Sequence, residues 1–320
     1  MAGELTRRTF VRDSVWASAG AAIALGAEAG RRIAQGAEAP SSSGPAPAKG
    51  TLPKGKIGNL EISRLLLGGN LLARYNHIRD LRYVAELVNR YNTDEKILET
   101  MALAESMGIN AVTVAPSPST TKLLKEHREK RGGKLLWIAY HVEWMQDLGR
   151  YGQHVQRMVD EGADAIYMWG EDCDRLVREG KLSTLAKAVE IIKAHNLPTG
   201  VGGHELRTIQ EVEKNKVPCD FYVKTLHHLN YPSAKMDYDS IFCRHPAETI
   251  EFMKTVEKPW IGFKVMAGGA IPPQDGFKYA LEGGVDFVLA GMFDFEIAPD
   301  VKIIKDLLAA SPKRVRPWRA

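Results

Sequence analysis

Three cysteines in 320 residues are too few for a disulfide scaffold. Cys173, Cys219 and Cys243 leave at least one thiol unpaired in a monomer; Cys219 and Cys243 could pair, but spacing alone does not show it. No Cys-x-x-Cys and no Cys/His ligand spacing is present, which argues against a structural zinc site, and no HExxH or HxxH run marks a metal-bearing helix. Net charge is only +4, so nothing favours a nucleic-acid partner. Long apolar runs are missing too. Val15 to Ala27 is a mild Ala/Gly-rich stretch of 13 residues, short of the roughly 20 a membrane span needs. A dinucleotide fingerprint is also lacking: Gly68-Gly69-Asn70 follows the first strand of the expected fold, but residues 71–92 separate it from the first helix.

What is present begins at the N-terminus. Thr6-Arg7-Arg8-Thr9-Phe10-Val11-Arg12 resembles the consensus of twin-arginine (Tat) signal peptides. The apolar run follows it, and Ala27-Glu28-Ala29 and Ala37-Glu38-Ala39 each offer a small-x-small cleavage pattern. The resemblance implies export of a folded chain by the Tat translocase to the periplasm or beyond, with no stable membrane anchor after cleavage. It divides the sequence into a leader (1–39), a Pro/Ser/Ala linker (40–50) and one domain (51–320). Losing Arg7, Arg8, Arg12, Arg31 and Arg32 with Glu4, Asp13, Glu28 and Glu38 leaves a charge of about +3. The basic tail Lys313–Arg319 reads as a solvated terminus.

From residue 51 onward short apolar runs alternate with helical patterns. Strands are expected at 64–67, 111–115, 135–141, 165–169, 199–203, 221–224, 260–265 and 287–290. Helices are expected near 93–107, 118–130, 149–161, 182–195, 205–215, 246–256, 273–283 and 299–310. Glu161-Gly162-Ala163-Asp164 and Glu282-Gly283-Gly284-Val285-Asp286 read as helix-to-strand turns. Eight such units predict an α/β fold, a (β/α)8 TIM barrel. Residues 71–92, with Tyr75, His77, Arg79, Arg82 and Tyr83, are read either as a lid over the barrel mouth or as a surface helix.

Lys56-Ile57-Gly58-Asn59-Leu60-Glu61-Ile62-Ser63-Arg64-Leu65-Leu66-Leu67-Gly68-Gly69 resembles the start of aldo/keto reductases, where a hairpin closes the barrel bottom. Met107-Gly108-Ile109-Asn110-Ala111-Val112-Thr113-Val114-Ala115-Pro116-Ser117 resembles the family's second-strand motif. The resemblance implies a barrel and carbonyl chemistry. However, Thr113 stands where the family has a catalytic Asp, and Pro118 about where it has a proton-donating Tyr. Ala139-Tyr140-His141 lacks the family's Lys, and Trp169 replaces an expected His. A hydride-transfer site needs an acid and its tuning partners, so the tetrad reads as replaced and NADP(H) as the lesser cofactor expectation.

Reacting groups in such barrels sit at C-terminal strand ends. These ends offer His141 and Glu143, Glu171 and Asp172, His204 and Glu205, Lys224, His227 and His228, Lys264, and Asp294. One chemistry places a divalent metal (Zn, Mn or Fe) on His141, Glu171, His204 and His227. A second pairs Lys224 with Lys264: Asp220–Thr225 and Phe263–Ile271 look like the sixth and seventh strands of deoxyribose-phosphate-aldolase-type barrels, which implies a Schiff-base lysine. The bland alternative is an ion pair of either lysine with Glu171 or Asp294. Gly268 and Gly269 suit an anion turn. Trp144, Trp169, Tyr231, Phe293 and Phe295 suit a sugar ring or plug the core.

The expected catalytic set is thus His141, Glu171, His204, Lys224 and Lys264. The expected substrate contacts are Trp169, His227, His228, Tyr231, Gly268, Gly269 and Asp294. The leading expectation is an exported barrel enzyme acting on a small carbonyl or carbohydrate substrate by metal- or lysine-assisted isomerase or lyase chemistry. The rivals are a reductase with tightly bound NADP(H), a non-catalytic small-molecule-binding barrel and a Schiff-base aldolase.

Overall fold

A computed structural model describes residues 51–78, 81–141, 147–236 and 240–320, with the side chain of His141 outside the description. The leader, the linker, Arg79, Glu143 and Trp144 lie outside the described residues. A hairpin, β1 (Lys54–Ile57) and β2 (Leu60–Ser63), precedes the barrel. Its Ile57 and Ile62 are fully buried and pack with the barrel interior, so the hairpin is a plug.

Eight parallel strands then close on themselves: β3 (Leu65–Gly68), β4 (Ala111–Val114), β5 (Leu136–His141), β6 (Ala165–Met168), β7 (Thr199–Gly203), β8 (Phe221–Thr225), β9 (Trp260–Phe263) and β10 (Phe287–Ala290). Closure is β10 on β3, with Val288 opposite Leu65. This is the expected (β/α)8 barrel. Alternation sorts its side chains into two cores. Leu66, Ala111, Ile138, Ala165, Phe221, Val223, Ile261 and Phe287 fill the interior. Leu65, Leu67, Val112, Val114, Ile166, Tyr222 and Val288 face the helices.

The helices are α1 (Arg82–Tyr91), α2 (Asp94–Ser106), α3 (Pro118–Lys125, running into a π-turn at Glu126–Lys130), α4 (Leu148–Asp160), α5 (Gly170–Arg178), α6 (Leu182–Lys193), α7 (Leu206–Lys214), α8 (Pro246–Met253), α9 (Pro273–Glu282) and α10 (Asp294–Ala309). The second half of the long first segment is α1, a mostly exposed helix, as one of its two readings has it. One element differs from expectation: Gly170–Arg178 is helical although its sequence is almost wholly polar. Its Cys173, Leu176 and Val177 are buried, so tertiary packing outweighs a weak intrinsic signal.

Four Asx residues, each immediately before an even-numbered strand, stitch the barrel bottom. Asn110 accepts from Ser63 N (2.7 Å), Asp164 from Trp137 N (2.7 Å), Asp220 from Thr199 N (2.8 Å) and Asp286 from Trp260 N (2.9 Å). The three carboxylates thus bond N–H groups at the starts of β5, β7 and β9, and the Asn110 amide bonds the N–H at the end of β2. The C-terminal tail corrects the expectation of a solvated terminus. Arg314 and Arg316 donate to Asp286 at 3.2 and 3.0 Å. The Trp318 ring lies between the guanidinium carbons of Arg64 (4.1 Å) and Arg314 (3.4 Å). The tail is therefore folded onto the barrel's N-terminal face. The three cysteines are free and buried, so Cys219 and Cys243 are not paired. Among the described residues no helix is long and apolar enough to cross a membrane.

Candidate functional site

At the C-terminal face the loop after β8 organises the mouth. His227 is fully buried. Its Nε2 accepts from Phe242 N (3.0 Å) and Cys243 N (2.9 Å), so the proton sits on Nδ1, which donates to His228 O (2.9 Å). Burial pushes its pKa down to about 4, so the ring is neutral. Thr225 Oγ1 donates to Phe242 O (3.1 Å). These bonds hold Phe242 in place as the aromatic hub of the mouth.

Three groups touch that hub. Lys264 Nζ lies 4.3 Å from the centroid of the Phe242 ring and also contacts His77 Nε2. The His77 ring centroid is 5.0 Å from Phe242, and His204 is 6.5 Å away. His204 also packs edge-on against Phe263 at 5.2 Å. Lys264 follows β9 with φ +58°, a left-handed conformation that removes it from the strand's alternation. Above it Tyr75 meets His77 edge-on at 5.5 Å, so the first half of the long loop does reach the mouth. Beneath, Tyr140 and Tyr167 lie 5.3 Å apart on the interior face. Burial raises both hydroxyl pKa values, so both stay protonated donors.

His204 is held from behind by Asp174 on α5. Asp174 Oδ2 is 3.3 Å from His204 Nδ1, outside good hydrogen-bond geometry, and accepts His204 N at 2.8 Å. Asp174 Oδ1 accepts from Thr208 Oγ1 (2.5 Å) and Glu205 N (3.3 Å). Gly170 makes this approach possible: a Cβ there would lie 3.0 Å from His204 Nδ1. In front of His204 opens a cavity of about 1020 Å³. Its wall includes Trp169, Glu171, His204 and Phe242, with the ion pairs Arg175–Asp172 and Arg178–Glu205.

Of the expected site residues, Trp169, Glu171 and His204 come together in this cavity, and Lys264 packs on the Phe242 ring that also neighbours His204. Others do not reach it. Lys224 shares the outer face of β8 with Tyr222, two residues earlier, and is fully buried. Its three N–H groups are spent on His204 O (2.8 Å), Thr225 O (3.0 Å) and Thr225 Oγ1 (2.9 Å). It therefore pairs with neither Glu171 nor Asp294, and burial lowers its pKa. Asp294 is taken by Tyr91 Oη (2.6 Å) and Lys96 Nζ (3.2 Å). His228 Nδ1 accepts from Asn230 N (3.2 Å), and its ring packs on Tyr279. Tyr231 donates to Ser240 O (2.8 Å) in a small satellite core with Ala267 and Ile271. Gly268 and Gly269 form a left-handed turn after β9 (φ +68° and +88°).

The described residues do not bring the expected metal ligands together. Both ring nitrogens of His227 are engaged by the backbone, and among the described residues no group of three or more His, Cys, Asp or Glu side chains is placed to hold a metal ion. Glu171 and His204 share the cavity without a described third ligand. Sequence reasoning missed Asp174, Phe242 and Tyr140. Asp174 was signalled by a charge on the buried face of an otherwise amphipathic nine-residue stretch. Phe242 was signalled by the apolar triplet Ile241-Phe242-Cys243 in a polar loop.

No protein-family model and no curated protein matches the sequence. Solved structures do resemble the fold. One described as a putative aldo-keto reductase from Pseudomonas aeruginosa superposes with TM-score 0.59 at 18% identity, covering 82% of this chain and 98% of that one. A Gox0644 mutant in complex with NADPH gives TM-score 0.54 at 12% identity, covering 81% and 92%. An aldo-keto reductase from a Medee basin deep-sea metagenome library gives 0.51 at 10% identity, covering 80% and 94%. At these identities the likeness is one of fold.

Proposed function

We propose that this chain is an enzyme of proton-transfer chemistry on a small polyhydroxy carbonyl compound, bound where the barrel mouth opens into the cavity. The observation that carries the reading is the placement of His204 against the buried Asp174 carboxylate on the wall of that cavity, with Glu171 on the same wall. His204 takes or gives a proton at Nε2 while Asp174 orients the ring, Glu171 is the second acid/base group, and Lys264 with His77 stabilises negative charge on the substrate oxygen. The ion pairs Arg175–Asp172 and Arg178–Glu205 offer donors and acceptors side by side, and Trp169 and Phe242 offer aromatic faces. That mixture suits a sugar better than a purely apolar or purely anionic ligand. Isomerase or lyase chemistry follows from the proton-transfer set, and Tat export is part of the same proposal.

The test is deuterium exchange. Purified protein in D2O is incubated with aldoses and ketoses, and loss of the carbon-bound proton next to the carbonyl is followed by NMR. Catalysed exchange that is lost in His204→Asn, with the fold intact by circular dichroism, supports the reading. Exchange that survives in His204→Asn overturns the assigned base.

A second reading is a reductase with bound NADP(H). It is favoured by the fold's likeness to structures described as aldo-keto reductases and to a Gox0644 mutant in complex with NADPH, and by Tyr140 as a protonated donor at the mouth. An absorbance band of reduced nicotinamide in protein purified without added cofactor would favour it over the first.

A further inference from the structure

Thr113 is 3% exposed, and its Oγ1 is buried without a hydrogen-bond partner. Alternation along β4 fixes where it points. Ala111 belongs to the barrel interior, while Val112 and Val114 face the helices, so Thr113 enters the barrel. On one side it pairs with Gly68 of β3, which brings no side chain. On the other it pairs with Ile138 of β5, so Tyr140 is the next inward residue toward the mouth. Valine has the same shape and no hydroxyl to desolvate. A threonine left unbonded here is a standing cost to the folded protein, and such costs persist where a ligand relieves them.

We propose that Thr113 Oγ1 is a substrate-binding group: it hydrogen-bonds a hydroxyl or carbonyl oxygen of the polyhydroxy carbonyl compound. This rests on the reading of the mouth given above. A site built to bond a substrate oxygen rejects analogues lacking it, because its own polar group is then stranded. Thr113 therefore sets how far down the barrel a hydroxyl-bearing carbon is accepted.

The test separates stability from binding. Thr113→Val should raise the melting temperature by about 2 °C without ligand, as loss of an unpaired buried hydroxyl implies for a domain of this size. The same variant should lose the melting-temperature gain that D-xylose gives the wild type, and Thr113→Ser should restore it. In wild-type protein labelled at threonine methyls, the Thr113 resonance should move on titration with D-xylose. A Thr113→Val variant that is no more stable and still gains from D-xylose overturns the proposal. D-xylose binding that leaves the Thr113 methyl unmoved overturns it too, while the proposed function stands. Wild-type protein that binds none of D-xylose, D-xylulose and D-glucose overturns both.

Discussion

Asp174 Oδ2 accepts His204's backbone N–H at 2.8 Å and lies 3.3 Å from the same residue's Nδ1, so one buried carboxylate fixes the chain that carries the ring and stands against the ring itself. Two consequences separate by substitution. Asp174→Ala strands His204 N, Glu205 N and the Thr208 hydroxyl in a buried place, and should cost about 3 kcal/mol in urea unfolding. Asp174→Asn keeps an acceptor and should cost less. It can also present an amide N–H to Nδ1, which would move the ring proton to Nε2 and leave no free lone pair toward the cavity. Nitrogen-15 NMR of the His204 ring reads this directly: a change of tautomer with loss of proton exchange on the substrate is expected. An unchanged tautomer with lost activity would assign Asp174 a purely structural part.

Lys264 occupies a left-handed backbone conformation that costs a non-glycine residue about 1 kcal/mol. Strain of this kind is kept where a side chain must be aimed. Lys264→Gly should therefore raise stability by about 1 kcal/mol and cut turnover by about two orders of magnitude, the scale of losing one charge-stabilising donor. Lys264→Met keeps the strain and should lose the same activity without gaining stability. Parallel unfolding and rate measurements check it. Equal stability of the two variants would mean that the conformation carries no strain.

The barrel was legible in the sequence because its strands are buried on both faces and read as short apolar runs between polar helices. Thr199–Gly203 and Phe287–Ala290 have the expected bounds. The polar helix α5 was not legible, since its one buried face holds only a few apolar residues and an Asp whose partners lie some 30 residues on. Lys224 shows a different limit. Its place at a strand end suggested the mouth, yet its register with the outward Tyr222 sends it to the other face of the sheet. Lys264 escapes the same rule only through a backbone twist that composition does not announce. The contact of His77 with Lys264 spans 187 residues and has no local signal.

His227 predicts a pH dependence. Burial lowers its pKa from 6.5 to about 4, so the folded state binds the proton less well than the unfolded chain. The stability this contributes is fully present above pH 6.5 and is lost as pH falls from 6.5 toward 4. The difference corresponds to about 3 kcal/mol. Urea unfolding at pH 7, 5.5 and 4 should show this fall. His227→Gln should be less stable at pH 7, because Phe242 N and Cys243 N lose a well-placed acceptor, and should lose less on acidification. A wild-type curve that is flat between pH 7 and 4 would contradict the buried neutral ring.

The stitch at the barrel bottom gives the last prediction. Asp286 is fully buried and holds Trp260 N, Arg319 N, Arg314 and Arg316, whereas Asp164 at the equivalent place holds Trp137 N and the partly exposed Arg128. Removing a buried carboxylate leaves two guanidinium groups unpaired in a dry site, so Asp286→Ala should cost about 3 to 5 kcal/mol. Asp164→Ala should cost about 1 to 2 kcal/mol, because water can reach Arg128. Both lie on the face opposite the mouth, where such barrels keep stability apart from chemistry. Activity per folded molecule, measured below the unfolding transition, should therefore stay near wild type in both variants. If Asp286→Ala lost activity while folded, the tail and the mouth would be coupled through the barrel, and the division between the two faces would not hold for this chain.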